Sequence, residues 1–192
     1  MFGRSLRERI EELERDLYPV VRVNNYLDMP FAIFLYDPHD ELTVRGEVQL
    51  LATRLKNKGK HVQVLSLAEV MQEALELALG NDGLKKFYDA ERENGVEAAI
   101  QTVYHILSHE RPLDKLVAER LHVLSPAYSI AFLTRAEALF PVYRTSALLD
   151  RLVNEKVRVP TVLFYPGTLE GVNGLRFMGV LEAEHNYRAR IY

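Results

Sequence analysis

Short apolar runs alternate along the chain with stretches whose apolar residues recur every three or four positions. The run FAIFLY at Phe31–Tyr36 is apolar throughout, which predicts a strand buried on both faces, as in a parallel sheet. Three later runs have the same strand-like character. They are His61–Leu65, Tyr128–Thr134 and Thr161–Tyr165.

Helix-period stretches precede and follow the first predicted strand. Phe2–Tyr18 reads as an amphipathic helix that Pro19 ends, and Glu41–Asn57 reads as a second helix that Gly59 ends. We expect four residues of the second helix to face the core. They are Leu42, Val48, Leu51 and Leu55.

The order of these elements predicts an α/β fold. Ser66 is placed to cap a helix whose Glu69 lies three residues on, so the chain reads strand, helix, strand, helix, with a right-handed crossover. We expect a mostly parallel central sheet, Rossmann-like or a degenerate P-loop (RecA-like) type, flanked by helices. Residues 67–127 contain no good strand and read as a helical insertion within a single domain, 1–192.

The last part of the chain predicts further strands. The run at Thr161–Tyr165 should stop at a turn formed by Pro166 and Gly167, and a second β-type run covers Leu175–Leu181. The aromatic and basic stretch Tyr187–Tyr192 reads as a final strand that ties the chain end into the sheet.

Composition excludes several classes of site. The chain has 192 residues and no cysteine, which excludes disulfides, cysteine-based zinc sites and a cysteine nucleophile. A net charge of −3 makes direct DNA binding an unfavourable expectation. No signal peptide and no apolar stretch long enough for a bilayer is visible, so we expect a cytoplasmic protein without a membrane association.

A ligand site in a parallel sheet is expected beyond the carboxyl ends of its strands. Asp37, Asp40 and Glu41 follow the first strand there, and their carboxylates could hold a divalent metal. The alternative is turn chemistry, in which the Asp-Pro pair ends the strand and Asp40 caps the next helix. Gly167 and Thr168 open a glycine-rich loop after the fourth strand, which could nest an anion or simply be a tight structural loop.

Other catalytic patterns are absent from the sequence, or consist of residues that also have a structural interpretation. The chain has neither GxxxxGK[ST] nor GxGxxG nor the G-x-S-x-G elbow, so we expect no nucleotide cofactor and no serine nucleophile. His105 and His109 could share a zinc ion on one helix face, but surface or packing roles are the alternative. Arg188 and Arg190 lie on one face of the final strand, either to meet a phosphate or acidic partner, or to protect an edge.

Four segments of the chain carry a resemblance to the BrxB family of bacterial BREX phage-defence systems. They are Tyr36-Asp37-Pro38, Pro141-Val142-Tyr143-Arg144, Phe164-Tyr165-Pro166-Gly167 and Asn186-Tyr187-Arg188-Ala189. The terminal motif has one tyrosine where the family pattern has two. The resemblance extends over essentially the whole chain, and its tail segments are its most specific part.

The resemblance implies a role within an assembly. BREX systems combine a methyltransferase, a large ATPase, an alkaline-phosphatase-like protein and this small component, and the family offers no catalytic residue to transfer. The first hypothesis is therefore a non-enzymatic adaptor that binds another BREX protein, in the first place the phosphatase-like one, with the ATPase or the methyltransferase as alternatives. Candidate partner-binding residues are Arg144, Arg188 and Arg190.

Two other functions stay open at the level of sequence. One is a metal-dependent phosphodiesterase or nucleotide-binding enzyme that uses Asp37, Asp40 and Glu41. The other is a nucleic-acid-contacting module that uses cations near the carboxyl terminus. Those cations are Arg144, Arg151, Lys156, Arg158 and the terminal arginines.

Overall fold

The computed structural model describes residues 4–18, 30–80, 82–171, 174–185, 187 and 189–192. Phe2, Pro19, Asn186 and Arg188, which the sequence predictions include, lie outside the described residues. The helices are α1 (Leu6–Leu17), α2 (Glu41–Asn57), α3 (Leu67–Leu79), α4 (Gly83–Asn94), α5 (Val96–His105), α6 (Leu113–His122) and α7 (Thr145–Asn154). The strands are β1 (Phe31–Tyr36), β2 (His61–Ser66), β3 (Ser129–Thr134), β4 (Thr161–Glu170), β5 (Gly174–Phe177) and β6 (Arg190–Ile191).

The central sheet has the order β2-β3-β4-β1-β6, and β5 pairs only with β4. These five strands run parallel to one another. Thr161 of β4 stands opposite Phe31 of β1 on one side and opposite Ala131 of β3 on the other. β5 is antiparallel to β4. Helices α3 to α6 come between β2 and β3 in the chain. The predicted fold class, a mostly parallel α/β sheet flanked by helices, is confirmed.

Alternate residues of the central strands enter two separate cores. In β1, Phe31, Ile33 and Leu35 face the core that α3, α6 and α7 cover. Ala32, Phe34 and Tyr36 face the core that α1 and α2 cover. Every residue of β1 is buried, which explains why its sequence is apolar throughout instead of alternating.

Capping residues fix where the helices begin. The Ser5 side chain accepts a hydrogen bond from the Glu8 backbone, and the Glu8 carboxylate in turn accepts one from the Ser5 backbone N–H, at 2.7 Å. Ser66 accepts from the Glu69 backbone in the same way, so the predicted cap of α3 is confirmed. Among the described residues, no helix is both long enough and apolar enough to cross a bilayer.

Two expectations about side-chain direction and strand length are wrong. Leu42 is exposed, because two residues before the buried Val44 is the opposite side of an α-helix. β4 does not stop at Pro166 and Gly167 but continues to Glu170. The strand survives the proline because the Pro166 carbonyl still accepts a hydrogen bond from the Met178 N–H, at 2.9 Å.

The end of the chain is tied into the sheet as predicted, through a shorter strand. β6 pairs with β1, and Tyr192 donates its backbone N–H to the Ile33 carbonyl at 2.9 Å. Carboxylates of helix α1 form ion pairs with this strand. Arg190 reaches Asp16 at 2.6 Å and Glu12 at 3.1 Å.

Gly167 is a position where the fold needs glycine, which gives a stability prediction. A Cβ there would clash with the Arg176 carbonyl oxygen and lie 2.6 Å from the Tyr165 ring. We expect Gly167→Ala to lower the free energy of unfolding by about 2 kcal/mol, because backbone and a buried ring must shift. Urea denaturation measures this change.

Gly46→Ala is the matched control, because no atom lies within 4 Å of the added Cβ. It should raise the free energy of unfolding by up to about 1 kcal/mol through helix propensity. Equal effects at the two positions would contradict the close approach of β5 to Gly167.

Candidate functional site

The carboxyl ends of β1, β3 and β4 enclose a cleft of about 300 Å³ on the α2 side of the sheet. This is the edge where ligands bind in parallel α/β sheets, and α2 and α7 leave that edge on opposite faces. The cleft has an apolar wall and several charged groups at its mouth. Its lining residues are Tyr36, Glu41, Val44, Arg45, Val48, Gln49, Thr134, Arg135 and Phe164.

The chain turns tightly between β1 and α2, and Asp37 stabilises that turn. The Asp37 carboxylate accepts a hydrogen bond from the His39 backbone at 2.9 Å and lies 2.7 Å from the His39 ring nitrogen Nδ1. These bonds from His39 lower the pKa of Asp37. Asp40 stands at the start of α2 but makes no capping hydrogen bond, so the expected cap by Asp40 is wrong and Asp37 caps the preceding turn.

Glu41 is engaged by two neighbours at the mouth of the cleft. It accepts a hydrogen bond from the Tyr36 hydroxyl and another from Arg45 Nε at 2.7 Å. Burial, together with the Glu41 carboxylate, raises the pKa of Tyr36. The same carboxylate raises the pKa of Arg45. Both groups therefore keep their protons at neutral pH.

A second carboxylate completes this network from the other side of the cleft. Arg45 also contacts Glu137 at 3.2 Å, and Arg135 Nε lies 3.5 Å from the same carboxylate. Arg135 has a left-handed backbone, φ 58°, which is uncommon for a residue with a side chain. The buried Oε2 of Glu137 has no hydrogen-bond partner among the described residues. Two arginines and two glutamates thus form ion pairs at the mouth of the cleft.

Sequence reasoning missed Arg45 and Glu137. Arg45 lies one helical turn after Glu41, a spacing that does predict an ion pair on a helix. Glu137 is 92 residues away from Arg45 in the chain, and only the pairing of β1, β4 and β3 brings the two together.

The acidic residues of the strand end do not converge on one point. Asp37 faces His39, and Glu41 faces Tyr36 and Arg45. In the part of the chain that the structure describes, no three histidine, aspartate or glutamate side chains are grouped so that they could hold a metal ion. The ring centroids of His105 and His109 are 5.2 Å apart, with the rings tilted by 42°. The geometry gives no support to a metal-dependent reaction at either place.

Gly167 and Thr168 belong to a β-ladder and not to a loop. Gly167 stands opposite Phe177, and Thr168 stands opposite Arg176. The predicted loop is therefore the end of a hairpin whose strands extend to Glu170 and from Gly174.

Three of the arginines proposed for partner or nucleic-acid contacts have carboxylate partners within the chain. Arg144 contacts Glu184 at 2.5 Å, Arg151 contacts Asp114 at 3.4 Å, and Arg190 is held by α1. Arg188 lies outside the described residues. These three arginines thus contribute to the fold, and each guanidinium is at least partly neutralised, whereas Arg158 is exposed.

The two tail segments of the family pattern meet in space. The rings of Tyr165 and Tyr187 are 5.8 Å apart in a perpendicular arrangement. The Tyr187 hydroxyl donates to Glu184 at 3.0 Å and lies 3.3 Å from the Thr145 hydroxyl. These motif residues therefore form a structural cluster that closes one side of the sheet.

The Arg144–Glu184 pair predicts a dependence of stability on pH. Burial alone would raise the pKa of Glu184, but hydrogen bonds from Arg144, Ser146 and Tyr187 outweigh it and lower this pKa. A lowered folded-state pKa means that the stabilisation is present above the ordinary value of 4.5 and is lost as pH falls through the folded-state pKa.

We expect Glu184→Gln to lower the free energy of unfolding by about 1 kcal/mol at pH 7, given the partial exposure of Arg144. The difference from the unmodified protein should shrink below the ordinary glutamate pKa. Urea denaturation as a function of pH measures it. The exposed neighbour Glu182→Gln is the control, and a difference that persists unchanged in acid would contradict the pairing.

Comparison with known proteins agrees with the resemblance seen in the sequence. The family model described as "BREX protein BrxB" matches residues 63–191. A curated protein named BREX protein BrxB, from Bacillus cereus (strain H3081.97), is 31% identical over 190 residues, which cover 97% of this chain and 96% of that relative. No solved structure gives a significant match. The chain belongs to the BrxB family.

Proposed function

We propose that this protein is a non-enzymatic adaptor that binds another protein of a BREX system. Membership of the BrxB family supports a role in BREX phage defence. The alkaline-phosphatase-like component is the first partner to test, followed by the ATPase and the methyltransferase. The helical region between β2 and β3 is the surface that we assign to this partner.

The observation that carries the proposal is a helical hairpin in which each helix has a single buried residue. We call α4 and α5 together the α4–α5 hairpin. Gly83 is the buried residue of α4, and Val103 is that of α5. Two helices of this length are marginal by themselves in water, so burial against another surface would stabilise them.

The outer surface of the α4–α5 hairpin has the character of a protein interface. Tyr88, Val96 and Tyr104 are exposed on it, and aromatic residues are enriched in interface cores. A largely apolar groove of about 370 Å³ runs between the helices. Its lining residues are Leu79, Gly83, Lys86, Phe87, Ala90, Glu91, Asn94, Ala98, Ala99 and Thr102.

Helix α5 is also poor in charge, which lowers the cost of covering it. Its sequence VEAAIQTVYH contains Glu97 as its one carboxylate and no lysine or arginine. Covering such a surface removes few charged groups from water. The charged groups of the strand-end cleft, by contrast, already pair with one another, Arg45 with Glu41 and with Glu137.

Co-purification with each BREX protein in turn tests the proposal. We expect one of them to elute with this protein in a fixed ratio. The double variant Tyr88→Asp, Val96→Asp should weaken that binding at least tenfold, because it places two carboxylates at the centre of the contact. Isothermal titration calorimetry or biolayer interferometry gives the affinity.

Val123→Asp is the matched control, since Val123 is 82% exposed and lies outside the hairpin. It should bind the partner as the unmodified protein does. If no BREX protein binds the folded chain, the adaptor role is wrong. If the control variant loses binding as strongly as the hairpin variant does, the assigned surface is wrong.

The non-enzymatic part of the proposal has a separate test. Asp37→Ala with Asp40→Ala removes the strand-end carboxylates, while the loss of a local turn bond should cost stability only about 1 kcal/mol. We expect phage defence, measured by plating efficiency in cells, to stay intact. Loss of defence in a variant that remains folded and still binds its partner would favour an enzymatic role.

A further inference from the structure

The strand-end cleft lies where the connections of the parallel sheet diverge. Helix α2 follows β1 on one face of the sheet, and α7 follows β3 on the other face, with β4 between these two strands. A crevice at such a divergence is the usual place for a ligand in an α/β sheet. The cleft volume of about 300 Å³ is at the small end of the range for small-molecule pockets, roughly 300–1,000 Å³, and suits a single ring system.

Arg135, directly after β3, has a backbone conformation that favours glycine. Its φ of 58° lies in the left-handed region, where a residue with a side chain is strained. The residue lines the cleft, and its Nε atom is buried without a hydrogen bond in the part of the chain that the structure describes. Neither the turn nor an internal hydrogen bond of Nε accounts for an arginine here, whereas a ligand that accepts a hydrogen bond from Nε does.

Glu137, two residues later, lacks a donor for one of its carboxylate oxygens. Its Oε1 accepts a hydrogen bond from Arg45 at 3.2 Å, while its Oε2 is buried and has no hydrogen-bond partner among the described residues. A buried acceptor without a donor is unfavourable. Because Oε1 of this carboxylate is 3.5 Å from Arg135 Nε, the unfilled acceptor and the unfilled donor are neighbours.

A donor next to an acceptor is what one edge of an aminopurine base presents. Adenine carries its N6 amino group beside the ring nitrogen N7, and the side-chain amides of asparagine and glutamine pair with both atoms at once. The Glu137 carboxylate oxygen and the Arg135 Nε–H together offer the same acceptor and donor as such an amide. Val44, Val48 and Phe164 supply an apolar wall for the flat ring.

The charges of the cleft favour a base over a phosphate group. Arg45 and Arg135 are balanced by Glu41 and Glu137, so these four groups leave no net positive charge for an anion. The chain also lacks the phosphate-binding patterns GxxxxGK[ST] and GxGxxG. We propose that the strand-end cleft binds an aminopurine nucleoside through its base, with Glu137 accepting from the amino group and Arg135 donating to the adjacent ring nitrogen.

Isothermal titration calorimetry and ligand-observed NMR, with adenosine as the probe and the whole protein as the receptor, test this site. Adenosine should bind about tenfold or more tightly than inosine, which has a keto oxygen in place of the amino group and would turn an acceptor toward the Glu137 carboxylate. AMP should bind no more tightly than adenosine, because the cleft has no cation in excess.

Glu137→Gln tests the assigned contact through specificity. A side-chain amide either accepts from an amino group or donates to a keto oxygen, so the preference for adenosine over inosine should shrink by about tenfold or more. Glu182→Gln is the control, because Glu182 is exposed and does not line the cleft. An unchanged preference in Glu137→Gln would contradict the contact.

Arg135→Gly separates a binding role from a structural one. Glycine suits a φ of 58°, so the variant should unfold at a Tm equal to or above that of the unmodified protein, while its affinity for adenosine falls by about tenfold or more. Lys156→Gly is the matched control, because Lys156 has the same φ of 58° and is exposed after α7. It should gain the same stability and keep the affinity. A lower Tm for Arg135→Gly would assign the arginine to the fold.

Three further results would overturn the proposal. They are a folded protein that does not bind adenosine at millimolar concentration, equal binding of adenosine and inosine, and full binding by Arg135→Gly. Binding of an oligodeoxyadenylate without binding of adenosine would also overturn it, because the site would then recognise a nucleic-acid strand. The adaptor proposal is independent, since it uses the α4–α5 hairpin. The hairpin variants should keep their affinity for adenosine, and the cleft variants should keep their BREX partner.

Discussion

The central strands are buried on both faces, and the other layers of the molecule depend on this double burial. Phe34 and Phe164 fill one face of the sheet, and Ile33 and Leu163 fill the other, all almost without exposure. Each face must be covered by helices, since neither can meet water. This requirement places α1 and α2 on one side and α3, α6 and α7 on the other. Polar chemistry is then left to the strand ends and to the outer faces of the helices.

Polar groups at the strand ends are hydrogen-bonded and ion-paired to one another. Tyr36, Glu41, Arg45 and Glu137 link the start of α2 to the turn after β3. Such a network aligns the two elements. The molecule instead exposes apolar surface on the α4–α5 hairpin, at Tyr88, Val96 and Tyr104.

The tail shows why a recognisable motif need not be a site. Tyr165 and Tyr187 pack together, and Arg144 and Glu184 lie beside them in the same cluster. Arg190 and Tyr192 are held by carboxylates of α1, 174 or more residues earlier in the chain. These residues tie the last strand to β1 and α1. Their specific pattern in the sequence is therefore explained by closure of the fold.

The sequence by itself determined the features that depend on neighbours in the chain. Periodicity predicted α1, α2 and the four main strands, and the Ser66–Glu69 spacing predicted a cap, because these signals act within a few residues. Only the tertiary structure decided the rest. The continuation of β4 past Pro166 depends on Met178, and the pairing of Arg190 depends on α1. The exposure of Leu42 depends on where the sheet lies. Such contacts are set by strand register and helix placement, which join residues far apart in the chain and leave no local pattern.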